Sequence, residues 1–534
     1  MNMKKTMVLL LTAALFLSAC QFSGQDISNQ DDSKEQNISS VVDGSAESAP
    51  TGNAPAKDNP AEDDASELSE ASLPLISIES INVQRYTEDD ETLLVEITRD
   101  NMMLSGDGYE KAAEAVKKQF YCTEEDLSRQ ADDLAEMAME QYIDTKDHNY
   151  WFTPYVSSTS YEVTRLDANV LSVKVSSYDY EGGAHGYGAE WGTTIDLKNG
   201  TELALSQLAG DAPGFMNKVL KIVLENLNGR QDEDDLFDGY ESYVKQNIEE
   251  TGWYLDAAGI VLVYMPYEIG PYSSGNIAVQ IPYEDVAEYM KAEYLPTQKN
   301  YISRLPMDYE VTTKLSDGAY TVLWKVEYVG PYDDYVTTIT VNGGDSLVEP
   351  MVRIKHAYLM WRQDGRCFLI FDIDWASDDF ETYVYELSAG GAVQTADVWA
   401  SLDGKNIGID NMRLRFSLDV LGTYISRMSY ALTEDGRLEP LEEIYTFTPN
   451  REWQGLTTVK ELPVTVNGQQ TTLPVGTYLF IDATDNAGTA WFTTDDASGA
   501  ISGEIHYERR ADDYQLYING ISEYEYFEML PYTG

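Results

Sequence analysis

Between residues 317 and 520 one local pattern recurs. Asp317-Gly318, Asn342-Gly343, Asp364-Gly365, Asp403-Gly404, Asp435-Gly436, Asn467-Gly468 and Asn519-Gly520 interrupt runs of β-branched and aromatic residues. Asn and Asp tolerate positive φ and Gly adopts it freely, so these dipeptides fit the tight turns whose twist matches paired antiparallel strands. Everything from about Asn300 onward is therefore expected to be nearly all β. The sharpest hairpin runs from His356 to Trp361, turns through Gln363-Asp364-Gly365 and returns over Cys367 to Ile373. No fixed period relates the turns, which argues against a propeller.

Upstream the texture is mixed. Ile76 to Ile81 and Thr92 to Ile97 alternate like strands, Tyr109 to Phe120 has helical spacing, and Thr123-Glu124-Glu125-Asp126 reads as an N-cap followed by acids in the first turn. Strands are expected again at Ser160 to Leu166 and Val170 to Tyr178, helices at Phe215 to Leu227 and Tyr240 to Ile248, and a closing helix at Glu284 to Met290. The fold class is thus an α+β N-terminal module followed by a mostly β C-terminal half. The compact strand-turn rhythm after Leu462, with Thr477 to Ile481 and Ala490 to Phe492, resembles a small SH3-like barrel. The final Leu530-Pro531-Tyr532-Thr533-Gly534 spells a sorting pentapeptide without the apolar stretch that pathway needs, and is read as the end of the last strand.

The first residues set the compartment. Lys4 and Lys5 precede an apolar run from Met7 to Leu17, the layout of a secretory signal and too short to span a bilayer comfortably. Leu17-Ser18-Ala19-Cys20 follows at once and resembles a bacterial lipobox. That resemblance implies cleavage before Cys20 and lipid attachment, palmitate included, on its thiol. The membrane partner is then reached through acyl chains, each buried CH₂ contributing roughly 0.8 kcal/mol. The expected location is the extracellular face of a cell membrane, Gram-positive in the simplest case. Gln21 to about Ser72 is polar, acidic and almost free of aromatic residues after Phe22, so it reads as a disordered tether spanning about 40 Å as a flexible coil. The expected organisation is a signal peptide at 1–19, a tether at 20–72, a small α+β domain at 73–165, a second α+β domain at 166–295, a β-rich domain at 300–455 and an SH3-like domain at 456–534.

Composition narrows the partners. The formal net charge is −55, which repels phosphate backbones and so argues against nucleic acid, while 43% apolar residues with 38 Tyr and 9 Trp suffice for real cores. An acidic surface also simply keeps an exported protein soluble. Beyond Cys20 only Cys122 and Cys367 remain, too few for a disulfide framework or a Cys-rich zinc site, and no cofactor or metal is expected.

The most specific stretch is Ser177-Tyr178-Asp179-Tyr180-Glu181-Gly182-Gly183-Ala184-His185-Gly186. It is answered about eighty residues later by Met265-Pro266-Tyr267-Glu268-Ile269-Gly270-Pro271-Tyr272-Ser273-Ser274-Gly275 and then Ile281-Pro282-Tyr283. Tyr-x-Tyr-x-Gly-Gly-Ala-His, the turn Asp196 to Thr201 and Tyr-Glu-Ile-Gly-Pro-Tyr together resemble the extracellular domain of RsiV-type anti-sigma factors, a pair that also accompanies PdaC-type peptidoglycan deacetylases. The likeness covers about Leu73 to Leu295. It implies an α+β ectodomain that, in RsiV-type members, binds lysozyme. The cytoplasmic segment, the spanning helix and a deacetylase-like catalytic block are not found in the sequence, so only binding carries over.

Gly182, Gly183 and Gly186 suit a tight loop presenting His185. That histidine fits a base or a metal ligand, or a hydrogen-bonded structural role. His148, His356 and His506 stand alone in sequence, which favours the structural role. Gly186, Gly188 and Gly192 lack the spacing of a dinucleotide fingerprint. Tyr267, Pro271 and Tyr272, with Glu268, read either as a rigid aromatic ledge for a partner or as a turn buried under the sheet. The acid pairs Asp372 with Asp374, Asp378 with Asp379 and Asp482 with Asp485 are expected by chance among 91 acids, and none has EF-hand spacing. No catalytic residue is assigned. The expected function is a lipid-anchored binding protein that captures lysozyme, another cationic protein or peptidoglycan. The alternatives are a wall-polysaccharide enzyme and a passive wall-adhesion lipoprotein.

Overall fold

In the computed structural model, residues 72–533 are described apart from 90, 149, 231–234, 317, 329–334, 351–352, 376–378, 389–390, 403, 450–452, 496–498 and 512. The signal segment, Cys20 and all but the last residue of the tether lie outside the described residues, as do Asp317, Asp378, Asp403 and Gly534. Residues 72 to 534 make one compact unit. It is mostly β, and among the described residues its α-helices precede residue 300, with one 3-10 turn at Glu523–Glu525.

The chain opens with the hairpin β1 (Leu75–Tyr86) and β2 (Leu93–Ser105), followed by α1 (Glu110–Phe120) and α2 (Glu124–His148). Helix α1 buries Ala112, Val116 and Phe120, one per turn, against the sheet. At the start of α2 the Thr123 hydroxyl accepts from the Asp126 amide at 3.1 Å, satisfying a donor that the first turn leaves open. β3 (Tyr155–Leu166), β4 (Val170–Tyr180), β5 (Tyr187–Asp196) and β6 (Thr201–Glu202) extend the sheet antiparallel, while β2 joins β3 in parallel register. Then come α3 (Ala212–Gly229), α4 (Tyr240–Asn247), β7 (Gly252–Leu255), β8 (Gly259–Tyr264), β9 (Ile277–Pro282) and the single turn α5 (Tyr283–Val286), shorter than the closing helix read from the sequence. The strands β7 to β9 form their own sheet, and Phe215, Val219, Val223 and Leu227 of α3 complete its core. Gly192 of β5 lies so close to this sheet that a Cβ there would stand 2.2 Å from the Trp253 carbonyl. The two layers therefore touch backbone to backbone.

One sheet runs straight across the change of texture near residue 300. β10 (Tyr301–Arg304) pairs with the end of β3 on one side and, across β11 (Val311–Leu315), β12 (Gly318–Tyr328), β13 (Tyr335–Val341) and β14 (Gly344–Pro350), with β15 (Arg353–Trp361) on the other. β16 (Cys367–Asp374), β17 (Phe380–Ser388) and β18 (Gly391–Val398) finish an eleven-stranded sheet. Because both faces of its middle are covered, β15 and β16 read as nearly unbroken apolar runs. Tyr358, Met360, Phe368 and Ile370 enter the core shared with α1, and Leu359, Trp361, Leu369 and Phe371 enter the core under the sheet of β11 to β14. The Asp364-Gly365 turn closes the expected hairpin, with Trp361 opposite Cys367. Cys122 and Cys367 are buried thiols.

The rest is β19 (Met412–Asp419), β20 (Thr423–Leu432) and β21 (Leu438–Pro440), which cover the far end of the first core, and a C-terminal layer. That layer holds β22 (Tyr445–Thr446), β23 (Leu456–Thr457), β24 (Leu462–Val466), β25 (Gln469–Leu473), β26 (Tyr478–Thr484), β27 (Thr489–Thr494) and β28 (Ser502–His506) in one sheet. A second, small sheet follows of β29 (Glu508–Arg510), β30 (Asp513–Ile518) and β31 (Ile521–Ser522). Among the described residues these strands form open sheets and close no barrel. Residues 530 to 533 are not strand, correcting the expectation for the last segment. They fold back onto the β19–β20 turn, where Thr423 N donates to Pro531 O at 3.0 Å and Thr533 N to the Thr423 hydroxyl at 3.0 Å.

Candidate functional site

The glycine-rich motif is the turn of the β4–β5 hairpin. Asp179 lies opposite Tyr187, and the intervening loop needs positive φ at Gly182 and Gly183, +86° and +94°. A side chain at either position would strain a turn that holds His185 out at the surface. The second motif follows β8. The Tyr267 amide donates to Gly270 O at 2.9 Å and the Glu268 amide to Met265 O at 3.1 Å, winding a tight turn in which Tyr267 has φ +74°. A left-handed aromatic residue is costly, so something must hold it. Glu268 does so: its carboxylate accepts from the Met265 amide at 2.7 Å and from the Tyr243 hydroxyl at 2.8 Å. Burial together with Glu268 pushes the Tyr243 phenol up, so it remains a donor.

The structure brings the two motifs into contact. The His185 ring stacks on the Tyr272 ring with centroids 4.2 Å apart and planes at 22°, and Tyr267 stands 6.1 Å from Tyr272. A single carbonyl, Gly186 O, accepts from the Tyr272 hydroxyl at 2.9 Å and lies 2.9 Å from His185 Nδ1. A carbonyl can only accept, so Nδ1 is the ring nitrogen that donates here, and Nε2 is not engaged by this bond. The Tyr187 hydroxyl donates to Pro266 O at 3.4 Å and adds a second link. Tyr267 is 55% exposed, His185 is exposed, Pro271 and Tyr272 are half-buried. Of the expected residues, His185, Tyr267 and Tyr272 make the surface, Pro271 leads into Tyr272, and Gly182, Gly183 and Glu268 shape the loops beneath. The arrangement offers flat aromatic faces and the second ring nitrogen of His185.

Three of the acids singled out in the sequence have structural partners. Asp372 is buried and accepts from the Leu402 amide at 3.0 Å and the Ser401 hydroxyl at 3.1 Å, with burial pushing it up to about 6. Asp374 pairs with Lys355, and Asp485 caps a turn by accepting from the amides of Ala487, Gly488 and Thr489. Among the described residues no group of three His, Cys, Asp or Glu is placed to hold a metal ion.

Two buried networks escape a reading by motif. Arg165 is sealed from solvent, binds Asp167 and donates to the Tyr283 hydroxyl at 2.9 Å, so Tyr283 of the Ile281-Pro282-Tyr283 motif serves this clasp. Glu162 meets Arg304 at 2.9 Å, Lys174 at 3.4 Å and His356 at 3.5 Å. Burial works upward on Glu162, yet Arg304, His356 and Lys174 hold it well below the usual carboxylate range. His356, isolated in sequence, thus lies against the Glu162 carboxylate beside Arg304 and Lys174. The only sequence hint was a charged residue at an inward position of each strand.

Residues 88–187 match the family model described as Deacetylase PdaC, and residues 212–284 match DUF3298, a protein family of unknown function. The chain carries both domains in tandem, and the His185–Tyr272 stack joins one matched segment to the other. A DUF3298 family member from Bacteroides fragilis is similar at 17% identity over 42% of this chain and 96% of its own, with TM-score 0.32. A DUF3298 family protein from Pseudomonas aeruginosa is similar at 16% identity over 43% of this chain and 99% of its own, with TM-score 0.28. No curated protein matches the chain.

Proposed function

We propose that the chain is an extracytoplasmic, lipid-anchored binding protein whose PdaC–DUF3298 pair acts as an RsiV-type ectodomain, capturing lysozyme or another cationic protein. The observation that carries this reading is the ring surface of His185, Tyr272 and Tyr267, assembled from two loops and held at a backbone cost by Glu268. Half-exposed, pre-ordered aromatic rings are what binding hot spots use, and they attract Arg and Lys side chains through the ring face. The net charge of −55 speeds encounter with a basic partner. Cys20 carries the lipid in this reading and keeps the domain on the outer face of the membrane.

The test is retention of the protein on immobilised lysozyme at low and at high salt. Strong retention at low salt that falls with salt and is lost in Tyr267→Ala supports the reading. Equal passage of the parent protein and an unrelated acidic protein removes it. Radiolabelled palmitate incorporation, abolished by Cys20→Ser, tests the anchor separately.

A further inference from the structure

A cleft of about 610 Å³ opens where the β19–β20 hairpin meets the C-terminal layer, remote in sequence from the ring surface above. We infer that this cleft binds a neutral pyranose oligosaccharide, with Trp453 as its stacking platform. The volume lies within the roughly 300–1,000 Å³ of small-molecule sites. Its aromatic residues are layered. Tyr424 and Phe447 are buried and stack on each other, centroids 4.9 Å apart at 19°, while Trp453 also lines the cleft but is 49% exposed. An indole half open to water beside a polar cleft presents an apolar face of the size of a pyranose ring, whose C–H groups on one side are its only apolar surface.

The polar lining fits hydroxyls. Asp379 and Asp419 supply carboxylates, Arg415 a guanidinium, and Ser417, Thr423 and Thr448 hydroxyl groups. The Asp419 carboxylate accepts from the Thr423 hydroxyl at 2.7 Å through one oxygen, which orients it and leaves the other for a ligand. The Tyr424 hydroxyl is buried and has no protein partner among the described residues. Burial and Asp482 push the Tyr424 phenol up, so it stays a proton donor. The lining holds two carboxylates and one guanidinium, a balance that disfavours phosphate, sulfate or uronate groups.

The binding reading for the PdaC–DUF3298 pair is not needed here, since no residue is shared. The experiment titrates the full chain with cellohexaose and with chitohexaose, following tryptophan fluorescence and calorimetry. Trp453→Ala and Asp419→Asn are compared with Trp399→Ala, a control that removes a tryptophan 66% exposed outside the cleft lining. Saturable binding of either sugar, weakened about tenfold or more by Trp453→Ala and unaffected by Trp399→Ala, supports the site. No binding of either sugar at millimolar concentration overturns it, as does unchanged affinity in both cleft variants. If Trp453→Ala fails to fold, Asp419→Asn decides on the same criteria. Failure of lysozyme capture with sugar binding intact, or the reverse, separates this inference from the reading above.

Discussion

The guanidinium of Arg165 lies 2.7 Å from the carboxylate of Asp167, and neither side chain reaches solvent. Its remaining donors go to the Tyr283 hydroxyl and to the carbonyls of Tyr294 and Leu295, at 2.9, 2.7 and 3.1 Å. The Tyr301 ring stands 5.3 Å from the guanidinium carbon. One buried cation thus ties the end of β3 to the segment that leaves the DUF3298 region and enters β10. Burial by itself disfavours such a charge, but Tyr283, Asp167 and Tyr301 hold the guanidinium protonated.

Arg165→Met is therefore expected to cost more than an ordinary core substitution. It leaves the Asp167 carboxylate buried and short of a counter-charge, a loss of roughly 3–5 kcal/mol. Arg165→Lys recovers little of it, because one ammonium cannot reach the same forked set of acceptors. Urea unfolding followed by tryptophan fluorescence reads both. A loss below about 1 kcal/mol for Arg165→Met would show that the clasp is not a structural keystone.

Gly192→Ala tests how closely the two layers approach. The added methyl would sit 2.2 Å from the Trp253 backbone, which cannot swing aside as a side chain can. The expected cost is about 3 kcal/mol, at the upper end of overpacking effects. Gly183→Ala is the comparison: its Cβ meets nothing within 4 Å, so only the left-handed turn is strained, and the loss should be nearer 1 kcal/mol. Equal midpoints for the two variants would contradict the close approach.

Asp256 sets a pH dependence of definite sign. It is fully buried, and its Oδ1 accepts from the amides of Ala258 and Gly259 and from Gln280, at 2.9, 3.0 and 3.1 Å. Burial nevertheless pushes it up to about 6 against a lowering pull from Arg304. A carboxyl raised in the folded state binds more protons folded than unfolded between about pH 4 and 6. Its contribution therefore favours the fold below that window and is lost as pH rises through it. Asp256→Asn removes that decline, on the order of 3 kcal/mol across the window. Asp372, likewise about 6, imposes a similar decline that persists in the variant. Urea midpoints at pH 4.5 and pH 7 for the parent and Asp256→Asn decide it. Parallel pH profiles would count against a raised Asp256.

How much of this was legible varies with the range of the interactions. The Asp364-Gly365 hairpin and the Thr123 cap are local, set by turn chemistry within a few residues, and the sequence carries them openly. The contact of His185 with Tyr272 rests on two motifs that suggest each other only by resemblance, and only the tertiary fold brings the two rings together. The sheet that crosses residue 300 left no local mark. Its link is the four-residue β10, and pairing there is decided by what β3 and β15 bury on each side. β5 hid because Gly188 and Gly192 dilute the strand pattern, although Gly192 is needed for contact with Trp253. The cleft at Trp453 hid for a further reason: its lining comes from β19, β20 and loops near residues 379, 448 and 533, which only the tertiary fold assembles.

Tyr267 separates stability from recognition. Its φ of +74° is strained for a residue with a Cβ, a cost of about 1–3 kcal/mol that Glu268 and the turn must offset. With the ring 55% exposed, little burial is lost on its removal. Tyr267→Gly should therefore leave the fold as stable as the parent or more so, by up to about 1 kcal/mol, since glycine adopts that φ freely. The same change should weaken lysozyme retention, because the ring beside Tyr272 is gone. Tyr272→Phe is the complement. It keeps the stack on His185 but deletes the hydroxyl bonded to Gly186 O, so stability should fall by about 1 kcal/mol while retention changes less. Thermal melting and the immobilised-lysozyme assay, run on both variants, read the two effects independently. A destabilised Tyr267→Gly with full retention would reverse the roles assigned to the two tyrosines.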